Sequence, residues 1–339
     1  MTHEFKEIIS GFLLAKNKGF KCVLATVVAL DGSSYRKPGV RMLIDSKMNM
    51  TGAVSGGCVE KEVCRQAVSV LETDMPKIMT YDGRYRLGCE GILYILIEPF
   101  DPSSEVISRF NSALKNRECF EIHSHYQKEI SSNENYRSKI LFGSEVYTFI
   151  DRHEVGFALQ KMEKLIDVLK PSLQLLVIGA EHDAVQLVKI GAFLGWNVKV
   201  ITQPTDEQVL ADFPGADEIE YSLPEQFNGS NIIAPSAVVL MNHNFVKDLH
   251  FLEKLQDVEV FYIGILGPVK RREKLLNALI EKNILVKESF LEKIFSPAGL
   301  NIGAVTPQEI ALSICAEIQA VQKKKEPSFL VSIKGKIHS

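Results

Sequence analysis

The sequence predicts an α/β chain of two domains, a mixed and β-rich one followed by one built on a parallel sheet. Three observations predict it. Between 23 and 98 short apolar runs alternate with glycine-rich or polar turns, and one amphipathic helix interrupts them. From 173 onward the rhythm becomes strand, helix, strand, with near-continuous apolar strands of the kind buried on both faces. The chain has 339 residues, 46% of them hydrophobic, which is ample apolar material for two cores.

The elements follow in order. The opening MTHEFKEIISGFLLAKNKGF is charged and amphipathic, and lacks the basic start, apolar centre and small-residue cleavage pattern of a secretory leader. CVLATVVAL, VRMLI, KIMTY and ILYILIE read as strands. VEKEVCRQAVSVLET, 59–73, reads as a helix with Val59, Val63, Ala67, Val70 and Leu71 on one face. From about 100 to 170 the chain is polar and undistinctive; 124–139 reads as an exposed hairpin or loop and 154–169 as a helix. Lys170-Pro171 punctuates a boundary.

Beyond it LQLLVIG, NVKVIT, AVVLM and VEVFYIGILG read as strands, alternating with HDAVQLVKIGAFLG, NFVKDLHFLEKL and VKRREKLLNALIEKN as helices. This is a Rossmann-like pattern. Thr306-Pro307-Gln308-Glu309 opens the last helix with an N-cap, a proline at the first position and a capping-box glutamate. The predicted organisation is an N-terminal mixed, β-rich α/β domain over 1–170, linker included, a Rossmann-like domain over 171–325, and a tail over 326–339.

Charge and cysteine usage exclude several functions. With 39 Lys and Arg against 42 Asp and Glu, the net charge of −3 gives no overall drive toward nucleic acid or an anionic membrane, so an anion site must be local. The longest apolar run, VLATVVAL, is far too short to span a bilayer. Six cysteines without CxxC pairs argue against a disulfide framework or a zinc ribbon, and fit reduced thiols in the cytoplasm.

Three stretches carry chemistry. GAVSGGCVE, 52–60, sets Cys58 in a glycine-rich turn at the N-cap of the first predicted helix or one residue before it. Unpaired amides and the positive dipole end there favour a thiolate, and Gly56 and Gly57 let the backbone approach a bulky ligand. The competing reading is a small hydrophobe packed against the sheet. DGSSYRKPGVRML, 31–43, collects Ser33, Ser34, Arg36, Lys37 and Arg41 around two turns, which suits a phosphate; alone it equally describes a solvated hairpin tip. LGCEGILYI puts Cys89 in another glycine turn. Together they fit a large polar ligand with a phosphate and a soft atom or metal.

GSSYRKPGVRMLI, GAVSGGCVE and LGCEG resemble the N-terminal domain of the XdhC/CoxI family, accessory factors of xanthine dehydrogenase and carbon monoxide dehydrogenase. VIGAEHDAVQLVKIGAFLGWNV, VVLMNHNFVKDL, YIGILGPVKRREKLL and SPAGLNIGAVTPQEIALSICAEI are similar to the Rossmann domain of the same family, in the expected order. The resemblance implies a chaperone that stores the molybdenum cofactor (molybdopterin) and delivers its sulfurated form to a xanthine dehydrogenase-type molybdenum hydroxylase, with a cysteine desulfurase as a further partner. It implies that Cys58 contacts the molybdenum or dithiolene end, or relays sulfur, and that Glu60 orients the loop or caps the helix. A homodimer, closing the crevice with a shared interface, is expected.

This sequence departs from the family at Glu90, where LGCGG becomes LGCEG, which puts Cys89 in question. It also departs at Glu181, a carboxylate where the dinucleotide fingerprint needs glycine. Binding of NAD(P) is therefore expected to be weak or absent. Gly179, His182, His243, Lys270 and Arg271 remain crevice candidates, the last two with Arg272 as an anion clamp. The alternative functions are an NAD(P)-dependent oxidoreductase and a paralogue that is only an interaction scaffold.

Overall fold

The computed structural model describes residues 2–32, 37–83, 91–150, 162–229, 232–282 and 286–332, the side chain of Cys58 excepted. The chain divides into two compact units, Met1–Pro171 and Ser172–Ser339.

The first unit runs α1 (Thr2–Asn17), β1 (Cys22–Asp31), β2 (Arg41–Asp45), β3 (Met50–Gly52), α2 (Cys58–Thr73), β4 (Lys77–Asp82), β5 (Ile92–Pro99) and α3 (Ser104–Lys115). It continues with β6 (Phe120–Tyr126), β7 (Ser131–Ser132), β8 (Arg137–Phe142), β9 (Glu145–Thr148) and β10 (Glu163–Leu169). Among the described residues these strands form two antiparallel sheets, ordered β3-β2-β1-β5-β4-β7 and β10-β6-β8-β9.

Period-two alternation splits the first sheet into two faces. Val23, Ala25, Val27, Met42, Ile95 and Ile97 meet Val59, Val63, Ala67 and Val70 of α2, the face read from the sequence. On the other side Leu24 and Leu43 join Phe5, Phe12, Phe100, Phe110, Phe120, Ile122 and Ile140, which brings α1, α3 and the second sheet into one core. Phe5 and Phe120 both stand edge-on to Phe110, with centroids 5.5 Å apart, a geometry worth about 0.5–1.5 kcal/mol per pair beyond burial.

The stretch from 100 to 170, expected to be undistinctive, thus supplies a helix and a whole sheet. The helix expected over 154–169 is corrected: residues 163–169 form β10, pairing with β6 from Glu163–Tyr126 to Leu169–Phe120, and 151–161 lie outside the described residues. The hairpin expected within 124–139 is present as the β6–β8 pair. It is not simply exposed, since Ser124, Tyr126, Tyr136 and Ser138 are buried.

The second unit comprises β11 (Gln174–Ile178), α4 (His182–Phe193), β12 (Asn197–Thr202), β13 (Glu218–Tyr221), β14 (Ser236–Leu240), α5 (Phe245–Leu255), β15 (Tyr262–Ile265), α6 (Val269–Glu281), α7 (Glu288–Leu291), β16 (Ile294–Phe295) and α8 (Pro307–Lys323). Its six described strands are parallel and ordered β13-β12-β11-β14-β15-β16, the doubly wound order of a Rossmann domain with its switch point between β11 and β14. Helices α4 and α8 cover one face; α5, α6 and α7 cover the other. Helix α8 starts as the sequence dictates: Thr306 Oγ1 accepts from Glu309 N, and Glu309 Oε2 accepts from Thr306 N and Val305 N. No described helix is long and apolar enough to cross a membrane.

Candidate functional site

Strands β1, β3 and β4 of the first sheet all run in one direction, toward the three sequence-singled stretches that follow them. Asp31, the last residue of β1, pairs with Ile92, the first of β5, and Ile92 pairs again with Asp82, the last of β4. Lower in the sheet, five residues before Asp31, Thr26 of β1 pairs with Arg41, the first residue of β2, and Gly52, the last of β3, pairs with Met42. The segments 32–40, 53–57 and 83–91 all leave these strand ends. Val40 and Val54, within the first two segments, and Val59 of α2 are buried in the same cluster.

The turn before α2 is held by one side chain. Glu60, nearly buried, accepts from Ser55 N through Oε1 and from Gly57 N through Oε2, both at 2.7 Å. The carboxylate therefore both orients the loop and caps the helix, and its charge is spent on backbone amides. Gly57 has φ 122°, a conformation side chains rarely adopt, and is the N-cap, so Cys58 is the first helical residue rather than the cap itself. A Cβ added at Gly56 or Gly57 would meet nothing within 4 Å. Among the described residues neither glycine is forced by packing, which fits a cofactor resting on this turn.

Lys37 is exposed at the foot of the 31–43 loop. Ser33, Ser34, Arg36, Cys89 and Glu90 lie outside the described residues. Arg41 is corrected. Its side chain is 3% exposed, and Nη1 donates to Asp167 Oδ2 at 2.6 Å and to Gly39 O at 2.8 Å. A buried guanidinium already committed to a carboxylate does not serve an exposed phosphate loop; it ties β2 to the second sheet instead.

In the second unit Gly179 has φ 127°, and a Cβ there would lie 2.6 Å from the Met241 carbonyl oxygen, so glycine is required by the approach of β11 to the chain after β14. Glu181 is the N-cap of α4, exposed and making no side-chain capping bond. It stands at the mouth of the switch point, where a pyrophosphate would meet the helix amides. His182 is the exposed first residue of α4. From the loop after β14, His243, at φ 50° and 53% exposed, brings Nε2 to 3.8 Å from Asp183 Oδ2.

Arg271 is also corrected. Its Nη2 donates to Asp248 Oδ2 at 2.6 Å, and Asp248 is buried and further held by Asn242 Nδ2 at 2.9 Å. That pair closes α5 against α6 and removes Arg271 from an anion clamp; Lys270 stays exposed. Among the described residues no group of three or more His, Cys, Asp or Glu could hold a metal ion.

An antiparallel, β-rich α/β unit ahead of a doubly wound parallel one defines a two-domain α/β protein with a Rossmann-like second unit. A family model described as "XdhC and CoxI family" matches residues 15–82, and one described as "XdhC Rossmann domain" matches residues 175–318. The chain belongs to the XdhC and CoxI family. It is 27% identical to a Bacillus subtilis protein described as a probable xanthine dehydrogenase subunit, over 90% of this chain and 94% of the relative. It is 22% identical to "Molybdenum cofactor insertion chaperone PaoD" of Escherichia coli, over 96% of this chain and 91% of the relative. A crystal structure described as a xanthine dehydrogenase from Bacillus halodurans superposes with a TM-score of 0.76 at 26% identity, over 94% of this chain and 96% of that one.

Proposed function

We propose that the chain is a molybdenum-cofactor accessory protein, which holds the cofactor at the loop end of its first sheet and hands the sulfurated form to a xanthine dehydrogenase-type molybdenum hydroxylase. The observation that carries this reading is the turn ahead of Cys58, which Glu60 fixes by accepting from Ser55 N and Gly57 N at the start of α2. The names of the Bacillus subtilis and Escherichia coli relatives support it.

In this reading Lys37, with Ser33, Ser34 and Arg36, takes the phosphate; Gly56, Gly57 and Cys58 take the metal end, with Cys89 from the neighbouring segment. The first-turn amides of α2 and its dipole favour an anionic group there. The cofactor, when bound, supplies the dithiolene-held molybdenum, while this chain's residues bind it, orient it and cover it. Glu181 at the mouth of the switch point argues against NAD(P) in the second unit.

The test is purification from cells that make the cofactor. After denaturation, oxidised pterin fluorescence and molybdenum near one per chain are expected, and Cys58→Ala is expected to fold normally and lose both. Absence of pterin and molybdenum from the wild type, even after addition of cofactor, ends the proposal. A Cys58→Ala chain that is badly destabilised but retains cofactor would make the thiol structural.

A further inference from the structure

The Arg41 guanidinium uses only one of its nitrogens. Nη1 donates to both Asp167 Oδ2 and Gly39 O, while Nε and Nη2 are buried with no partner among the described residues. The buried Thr26 Oγ1 has none either. Buried donors without partners are rare and costly, so idle N–H groups on a guanidinium ask what they are kept for. Register gives their surroundings. Thr26 of β1 stands directly opposite Arg41 of β2, and it lies diagonal to Glu98 of β5, because Leu24 pairs with Glu98 and Thr26 with Leu96. Long side chains reach across both spacings. Arg41 and Glu98 both turn toward the second sheet, where Arg41 meets Asp167 of β10 and Glu98 meets Ser138 of β8.

Two carboxylates therefore stand to one cation. Burial pushes the Glu98 carboxyl up to about 7, opposed by the Ser138 bonds and by the charges of Arg41 on β2 and Arg137 on β8. Leu24 and Thr26 of β1 and Ser124 of β6 bring no charge, and Asp167 of β10 is already on Arg41. Below about 7 Glu98 is neutral and Arg41 belongs to Asp167 alone. Above it a second buried carboxylate is charged, and a buried charge is tolerated only where donors or a counter-charge meet it. Arg41 has both to give. The same side chain also holds the chain ahead of it: Gly39, whose carbonyl it grips, sits at φ 100° and donates to Val27 O at 2.9 Å.

We propose that Glu98 and Asp167 compete for the Arg41 guanidinium, so that ionisation of Glu98 draws Arg41 away from Asp167 and Gly39 and loosens the foot of the 32–40 segment. The device is a proton-sensitive clamp built into the core between the two sheets of the first unit. With Glu98 protonated, Arg41 ties β10 and Gly39 to β2; with Glu98 ionised, that tie is shared with β5. Cofactor binding is no part of it, and it stands whether or not the 32–40 segment takes a phosphate.

The experiment follows the Glu98 carboxyl of the full chain by carbon NMR between about pH 5.5 and 9, its signal assigned by its loss in Glu98→Gln. Asp167→Asn, which keeps the shape and frees the guanidinium for Glu98, is expected to lower the midpoint by about one unit or more. Arg41→Met with Asp167→Leu removes both competitor and cation and is expected to raise it, which supplies a reading even where Asp167→Asn does not fold. Amide exchange at Gly39, corrected for its intrinsic rise with pH, should quicken severalfold through the wild-type midpoint and stay level in Glu98→Gln. Midpoints that move less than about 0.3 unit in the variants that fold would mean that Glu98 and Arg41 titrate independently, and would overturn the proposal. So would a level corrected exchange rate at Gly39 in wild type, or an equal rise in Glu98→Gln.

Discussion

Glu98 and Ser138 are bonded twice across the two sheets of the first unit: Ser138 N donates to Oε2 at 2.7 Å and Ser138 Oγ to Oε1 at 2.5 Å. Ser124 Oγ lies 2.7 Å from Ser138 Oγ and extends the chain. Glu98 is 2% exposed. Burial pushes its carboxyl up to about 7, while the Ser138 bonds and the charges of Arg41 and Arg137 pull the other way. A folded-state value above the unfolded one means that the native protein holds a proton the unfolded chain has released. Stability is therefore full below about pH 4.5 for this group, falls as pH rises, and is lowest above about 7, a span on the order of 3 kcal/mol. Urea unfolding at pH 5.5 and 8 should show the first unit more stable at the lower pH. Glu98→Gln, which mimics the protonated acid, should flatten that slope; an unchanged slope would place the titration elsewhere.

Arg41 and Asp167 form the second tie between the sheets, 126 residues apart in sequence and nearly buried, with side chains 3% and 5% exposed. Removing one partner leaves the other charge unpaired in the core. Asp167→Ala is expected to cost about 3–5 kcal/mol by chemical denaturation, whereas Arg41→Met with Asp167→Leu, which removes both charges, should recover most of the loss. A double variant as unstable as the single one would show that the cost is packing, not charge.

That separation explains what the sequence could and could not reveal. The buried face of α2 and the Thr306–Glu309 capping box use residues a few positions apart, and both were legible. Arg41 looked like a member of a basic loop because its carboxylate lies far along the chain, in a stretch that carried no clear pattern. Strand β10 looked helical because its alternation is inverted: Ile166 and Val168 face outward while Asp167 is buried. The order β3-β2-β1-β5-β4-β7, which sets β1 between β2 and β5, depends on pairings between distant segments that no local pattern encodes.

Glu60 replaces missing contacts in the 53–57 turn with two charge-assisted bonds to backbone amides, so its removal frees the turn more than it weakens the core. Glu60→Ala is expected to cost about 1–2 kcal/mol and to lower the molybdenum retained per chain severalfold. Glu60→Gln, which keeps an acceptor, should fall between the two. Thermal melting beside metal analysis separates the effects: full retention in Glu60→Ala would remove this turn from the site.

Glu181 offers the sharpest test of the second unit. It occupies the N-cap of α4 without making a capping bond, so it contributes little to the fold. Its charge and Cβ stand where a dinucleotide's pyrophosphate would meet the helix amides, and Gly179 already provides the tight turn that such a ligand needs. Replacing it with glycine deletes both obstacles and should leave stability within about 0.5 kcal/mol. The expected outcome is negligible NADH binding by wild type and a gain of about tenfold or more for Glu181→Gly, read by fluorescence titration with thermal melting as control. Tight NADH binding by wild type, indifferent to this substitution, would place the nucleotide elsewhere in the crevice and restore the oxidoreductase reading.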